Sequence, residues 1–285
     1  MPFRLTVKQA IVACLVVGTC VGLVAPLRAQ GNGAASNPRS KIQEPVHQNG
    51  ASIRVPLVNY YALGGAAKTE FEATALMPNT KGMAQVAITK EGSVSVKAQF
   101  SGLTGPTKFG NEYLTYILWA ITPKGQPLKI GELSVTGDAV RLVASTVLRT
   151  FGMLVTAEPY YAVTRPSNIV VLVGKSMGET QPPFASCELS HDGYAPPGYR
   201  YEPIDTSSGY APELLQAMNA RRIATVAQAE KYAAQSFSSA ENLYEYMVSW
   251  AIRDKKMSKK LLQVANTVTA SYEDARALAI RQQFP

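Results

Sequence analysis

Between residues 69 and 173 apolar and polar positions alternate with a period of two, the spacing of strands with one buried face. Phe71, Ala73 and Ala75 alternate with Glu70, Glu72 and Thr74, and Val94, Val96, Ala98 and Phe100 alternate with Ser93, Ser95, Lys97 and Gln99. The run at 113–121 (YLTYILWAI) is almost wholly apolar, as in a central strand covered on both faces, and Trp119 is expected in the core. Further runs at 128–135, 140–147, 151–157 and 168–173 complete about eight short strands, punctuated by Gly, Pro and Asn. No helical stretch interrupts them, so parallel crossovers have nothing to use. This spacing predicts an antiparallel Ig-like β-sandwich over 68–174. The turn TPKGQP at 122–127 is expected to close a hairpin, because it holds one glycine, two prolines that remove donors, and no following helix to receive a phosphate.

From Pro212 the period becomes helical. Pro212 and Glu213 suit a first turn, and Leu215, Met218, Val226, Ala229 and Ala233 fall on one side of that helix. Ser238 and Glu241 form a capping-box pattern ahead of a second helix with Ala240, Leu243, Tyr244, Met247, Val248 and Ala251 on its stripe. A break at 253–258 precedes a third helix carrying Leu261, Ala265, Val268, Tyr272, Ala275 and Ala279. The pattern predicts a three-helix antiparallel bundle over 212–285. The whole is therefore an α+β multidomain chain. Its remaining parts are a signal peptide at 1–29, a flexible tether at 30–67 with one short strand around 52–61, and a Pro/Tyr-rich linker at 175–211.

The N-terminal segment carries Arg4 and Lys8, then an apolar run at 10–27, then Arg28-Ala29-Gln30. A positive start, an apolar middle and a small residue before a polar stretch are the marks of an export signal, with cleavage expected after Ala29. The alternative is an N-terminal inner-membrane anchor, although about 18 apolar residues fall short of the ~20 needed to span a bilayer. Export implies a periplasmic or secreted protein. Cleavage lowers the formal charge from +8 to +5, since it removes three basic residues and no acid. That weak, scattered charge argues against nucleic acid as a partner. Cleavage also leaves Cys187 as the single cysteine, which excludes an intrachain disulfide framework.

The chain of 285 residues, 46% hydrophobic and 17% charged, has the composition of a globular protein. Its candidate chemistry is sparse. GKSMG at 174–178 matches the nucleophile-elbow pattern and places Ser176 after a strand, but Pro182 and Pro183 follow where the elbow requires a helix. The histidines beyond the signal are His47 and His191. GGAAKT at 64–69 lacks the glycines of a phosphate loop, with Ala62 and Ala67 in their places. Cys187 and His191 supply two metal ligands where a site needs three or four, so no metal and no cofactor is expected. Glu70 and Glu72 fall on a solvent face, and Glu132 and Glu158 read as single acids at strand edges. Exposed aromatics capable of stacking on a sugar ring are sought at Tyr160, Tyr161, Tyr199 and Tyr201.

The segment 116–166, with Tyr116-Ile117-Leu118-Trp119-Ala120, Gly131-Glu132-Leu133, FGMLVTAEP at 151–159 and Thr164-Arg165-Pro166, resembles the extracytoplasmic C-terminal domain of anti-sigma-K factors. The likeness extends over about 70–174 and implies an exported β-sandwich. The family's regulatory activity lies in a cytoplasmic zinc-binding part for which this chain has no match, so sigma-factor binding is not expected to carry over. Residues 212–283, through Ala220-Arg221-Arg222-Ile223-Ala224, Ala229-Glu230-Lys231-Tyr232-Ala233 and Glu273-Asp274-Ala275-Arg276, are similar to a helical domain of unknown function in bacterial envelope proteins, often found beside OmpA-type peptidoglycan-binding domains. Neither resemblance brings a catalytic residue. The function expected is that of an exported non-enzymatic cell-envelope protein with a structural or interaction role, whose partners are other envelope proteins or cell-wall polymer and whose membrane contact is confined to the N-terminal signal or anchor. A glycan or cell-wall ligand-binding module is the first alternative, and a serine hydrolase acting through Ser176 is the second.

Overall fold

The computed structural model describes residues 52–135, 137–175, 183–190, 194–254 and 256–283. The putting together of strands follows the period-two pattern closely. β1 is Ser52–Pro56, β2 Val58–Asn59, β3 Ala67–Ala73, β4 Lys81–Ile88, β5 Val94–Ser101, β6 Thr115–Ile121, β7 Pro127–Leu133, β8 Ala139–Thr146, β9 Thr150–Glu158, β10 Val170–Gly174 and β11 Phe184–Glu188. Eight of them, β3 to β10, make one antiparallel path in the order β7-β6-β9-β10-β3-β4-β5-β8, with β2 added against β9.

The two ends of that path lie close together. Gly131 on β7 faces the Leu142 side chain on β8, and a Cβ at Gly131 would collide with it. The sheet therefore curls into a nearly closed, barrel-like form. The strands pair as one continuous curled sheet, a coarser arrangement than the two facing layers expected of an Ig-like sandwich.

β5 buries Val94, Val96, Ala98 and Phe100 and turns its alternate residues outward, as alternation predicts. β6 is buried at every position. Its neighbour β9 is buried from Phe151 to Glu158. Both lie at the middle of the fold because both of their faces are covered. Part of the cover is a two-stranded ribbon of β1 and β11, whose inner residues Val55, Ala185 and Cys187 are buried. Pro56 and Val55 press on Gly152 of β9 so closely that no side chain fits there.

The turn at 122–126 is a hairpin, as the sequence predicts. Thr122 N–H donates to the Gln126 carbonyl (3.0 Å), and Gly125 N–H donates to the Thr122 carbonyl (2.8 Å). Gly125 takes φ +79°, the left-handed residue that a three-residue hairpin loop needs. It is required for a second reason too: the Ser186 carbonyl of β11 sits where a Cβ would project.

The C-terminal region holds three long helices, α1 (Pro212–Val226), α3 (Ala234–Arg253) and α4 (Lys259–Gln283), with one short turn of helix, α2 (Ala229–Tyr232). Pro212 opens α1 with Glu213 in its first turn, as expected. The predicted stripe of α4 is buried in full, from Leu261 through Ala279. The capping box is corrected. α3 begins at Ala234, so Ser238 lies a turn inside it, and the Glu241 carboxylate pairs with Arg221 (2.8 Å) and accepts from Tyr272 Oη (2.5 Å). The break between α3 and α4 falls as predicted. Asp254 accepts the Ser258 N–H (3.0 Å), and Ser258 Oγ accepts the Leu261 N–H (3.4 Å), which caps α4.

The stretch read as a spacer contributes to the packing instead. It supplies β11, and Tyr194 and Tyr201 from it are buried. The described residues group as one compact unit.

Candidate functional site

The strongest concentration of polar chemistry lies where the sheet meets the helices. It starts on β9. In the antiparallel register Thr115 faces Glu158 and Ile117 faces Thr156, so Thr156 and Glu158 share one side of the β6–β9 pair. Trp119 Nε1 donates to Thr156 Oγ1 (2.8 Å), and Thr156 Oγ1 donates in turn to Glu158 Oε1 (2.5 Å). The same carboxylate oxygen accepts the Ser167 N–H (2.7 Å), and Oε2 accepts from Tyr194 Oη (3.0 Å). Glu158 has no exposed surface. Burial pushes its carboxyl up to about 7 against the three hydrogen bonds, which favour the anion, and the nearby Glu273 adds to the rise.

A second carboxylate faces the site from α4. Glu273 accepts from Tyr160 Oη (2.7 Å) and from Arg276 Nε (2.8 Å) through Oε2, and from Arg276 Nη2 (3.1 Å) through Oε1. The Arg276 guanidinium also lies over the Tyr194 ring, 5.2 Å from its centre. Burial works against that cation, but Tyr160 and Glu273 outweigh it and hold the group charged. The Tyr194 ring meets Tyr113 and Tyr160 edge-on, and Tyr201 Oη donates to the Tyr194 carbonyl. Burial holds the hydroxyls of Tyr160 and Tyr194 well above the ordinary phenol range, so both remain donors.

α1 adds a parallel set. Gln216 Nε2 donates to Glu132 (2.5 Å), which also accepts from Thr115 Oγ1 (2.6 Å), and Gln216 Oε1 accepts the Tyr161 N–H (2.7 Å). Asn219 Nδ2 donates to the carbonyls of Glu112 (2.7 Å) and Pro159 (2.9 Å). Arg222 donates to Asn219 Oδ1 (2.7 Å) and to the Asn111 carbonyl (2.5 Å). α1 is thus buried on two sides, one apolar against α4 and one polar against the sheet. That explains why a single apolar stripe describes it poorly.

No known protein family, curated protein or solved structure matches the chain. The site must be read from its own chemistry. A carboxyl poised near neutral pH is suited to proton transfer. Here every member of the cluster is shut in: Glu158, Tyr160, Tyr194, Glu273 and Arg276 are all buried. Two hollows are open to solvent elsewhere, one against Tyr246 and Trp250 on α3 and one against β4 and β5. The carboxylate oxygens of Glu158 and Glu273 and the hydroxyls of Tyr160 and Tyr194 all have partners within the cluster or beside it. The arrangement is that of a joint.

The sequence-predicted tyrosines are divided by the fold. Tyr160 and Tyr201 are buried, which corrects the expectation that they are exposed for ligand stacking. Tyr160 points into the joint because it continues the Thr156–Glu158 side of the chain past Pro159. Tyr161 (40% exposed) and Tyr199 (48%) remain at the surface, and Lys129 covers one face of the Tyr161 ring at 4.5 Å. Glu158 is the second correction: it is a buried acid, not an ordinary strand-edge one. Glu70 and Glu72 are exposed as expected.

Cys187 is buried on β11, and burial raises its thiol to about 11. Ser176, Met177, Gly178, His47 and His191 lie outside the described residues, as does the whole N-terminal segment with its expected cleavage point at Ala29. Among the described residues no group of three or more His, Cys, Asp or Glu is placed to hold a metal, and no helix is long and apolar enough to cross a membrane.

Proposed function

We propose that this chain is an exported, non-enzymatic envelope protein that works by presenting surfaces to other envelope proteins or to cell-wall polymer. The observation that carries the reading is the use made of its most reactive side chains. Glu158, Glu273, Arg276, Tyr160 and Tyr194 are sealed between the sheet and the helices, where they fix two parts of the chain together. The likeness of 70–174 to an extracytoplasmic anti-sigma-K domain and the signal-like N-terminal segment support export.

Mass spectrometry of the chain recovered from a bacterial host tests export. An N-terminus at Gln30 in the periplasmic or secreted fraction is expected, and an intact Met1 terminus in the cytosol contradicts it. Labelling by a fluorophosphonate probe that disappears in Ser176→Ala would replace the non-enzymatic reading with a hydrolase. The glycan reading retains Tyr161 and Tyr199 alone of its four tyrosines. Binding to isolated cell-wall polymer that is lost in Tyr161→Ala plus Tyr199→Ala would favour it.

A further inference from the structure

We propose that the loop end of the α3–α4 hairpin docks on an anionic phospholipid surface. Leu243, Tyr246 and Trp250 follow each other on α3 at steps of three and four, so they lie along one side of the helix, with Leu243 and Tyr246 exposed and Trp250 half-buried against the core. Tyr246 is 52% exposed, and Ile252 beyond it is 69% exposed. The Tyr246 and Trp250 rings meet edge-on at 5.7 Å and, with Arg253 and Asp254, border an open hollow of about 400 Å³.

At the loop end of the hairpin the charge is mostly positive, and the acids Glu241 and Glu245 lie two turns or more back along α3. Arg253, Lys256, Lys259 and Lys260 are exposed. Asp254 is the sole acid between Glu245 and Glu273, and its carboxylate is engaged by the Ser258 N–H. Lys259 and Lys260 are moreover the first two residues of α4, whose first turn holds no acid. The positive end of a helix disfavours cations there, so the fold places these lysines against its own field. A layer of lipid phosphates relieves both the mutual repulsion and the opposition of the helix. Tyrosine and tryptophan rings beside lysines are the side chains that settle at headgroup depth on an anionic bilayer. This charge complementarity selects the bilayer as the occupant, and the inference does not depend on which compartment the protein occupies.

The protein's two tryptophans make the test specific. Trp119 is buried, so a change in fluorescence on vesicles reports Trp250. The full chain is mixed at low salt with vesicles containing phosphatidylglycerol and lipids brominated in their acyl chains, and with matching neutral phosphatidylcholine vesicles. Trp250 emission should shift to the blue and be quenched on the anionic vesicles alone, and salt at about 0.5 M should reverse it. Each cation near such a surface is worth about fivefold in partitioning, so replacing Lys256, Lys259 and Lys260 with Gln should weaken binding on the order of 100-fold. The thermal melt of that variant should not fall, because the lysines are exposed and two of them oppose the field of α4. Trp250→Ala should weaken binding while leaving the charge in place. An unquenched Trp250 on anionic vesicles overturns the proposal, as does equal quenching on neutral ones or full affinity in the lysine variant. Self-association through Trp250 without lipid also overturns it and assigns the stripe to a second copy of the chain.

Discussion

Glu158→Gln should remove a defined part of the protein's pH dependence. The folded carboxyl titrates near 7, against an ordinary value of 4.5. Between those two values the folded chain keeps a proton that the unfolded chain has released. Folding stability must therefore fall as pH rises through that window, and level off above it. The shift of roughly 2.5 pH units at about 1.4 kcal/mol each corresponds to a loss of about 3 kcal/mol between pH 4.5 and pH 8. Gln keeps a carbonyl that can accept from Thr156 and from the Ser167 N–H, and it carries no charge at any pH. Glu241, which Arg221 and Tyr272 hold below its usual range against the effect of burial, works in the opposite direction at lower pH. It is common to both proteins and cancels in the comparison. The assay is urea unfolding of wild type and variant at pH 5 and pH 8. The stability lost between the two pH values should be about 2.5 kcal/mol smaller in the variant. Equal losses in the two proteins would refute the burial argument.

Arg276→Ala leaves the Glu273 carboxylate buried without its cation, and removal of one member of such a pair costs about 3–5 kcal/mol, measured by the same unfolding assay. Gly125→Ala forces a side chain into a left-handed position against the Ser186 carbonyl, so the thermal midpoint should fall by an amount equivalent to at least about 1–2 kcal/mol, with added protease sensitivity in the β1–β11 ribbon. Cys187 should resist a thiol reagent at pH 8 in the folded protein and react promptly in denaturant, since its thiol is buried and shifted to about 11. Fast modification of folded protein would contradict the placement of β11.

The parts of the fold legible in the sequence are those where one face is wet. β3 and β5 alternate because solvent lies on one side, and α4 shows its stripe because the other side is exposed. The hairpin at Gly125 was legible from turn chemistry. The joint was not. Gln216 and Asn219 on α1 are polar positions off the apolar stripe, and only the sheet behind them makes that face interior. Glu158 carries the same ambiguity: an acid ending an apolar strand is exposed or buried according to what packs on it, and here the cover comes from Tyr194, distant in sequence. A hint was present in Thr156-x-Glu158-x-Tyr160, three polar-tipped residues on one side of a strand otherwise buried on both faces. β11 was missed because its five residues sit in a Pro-rich stretch and pair with β1, more than a hundred residues earlier.

The buried joint holds sheet and helices together as one body. Scanning calorimetry of the protein tests it most directly. One transition is expected, with calorimetric and van't Hoff enthalpies in agreement, and the same single transition moved to lower temperature in Arg276→Ala. Two separate transitions in the wild-type protein, with Arg276→Ala moving one of them or neither, would contradict it.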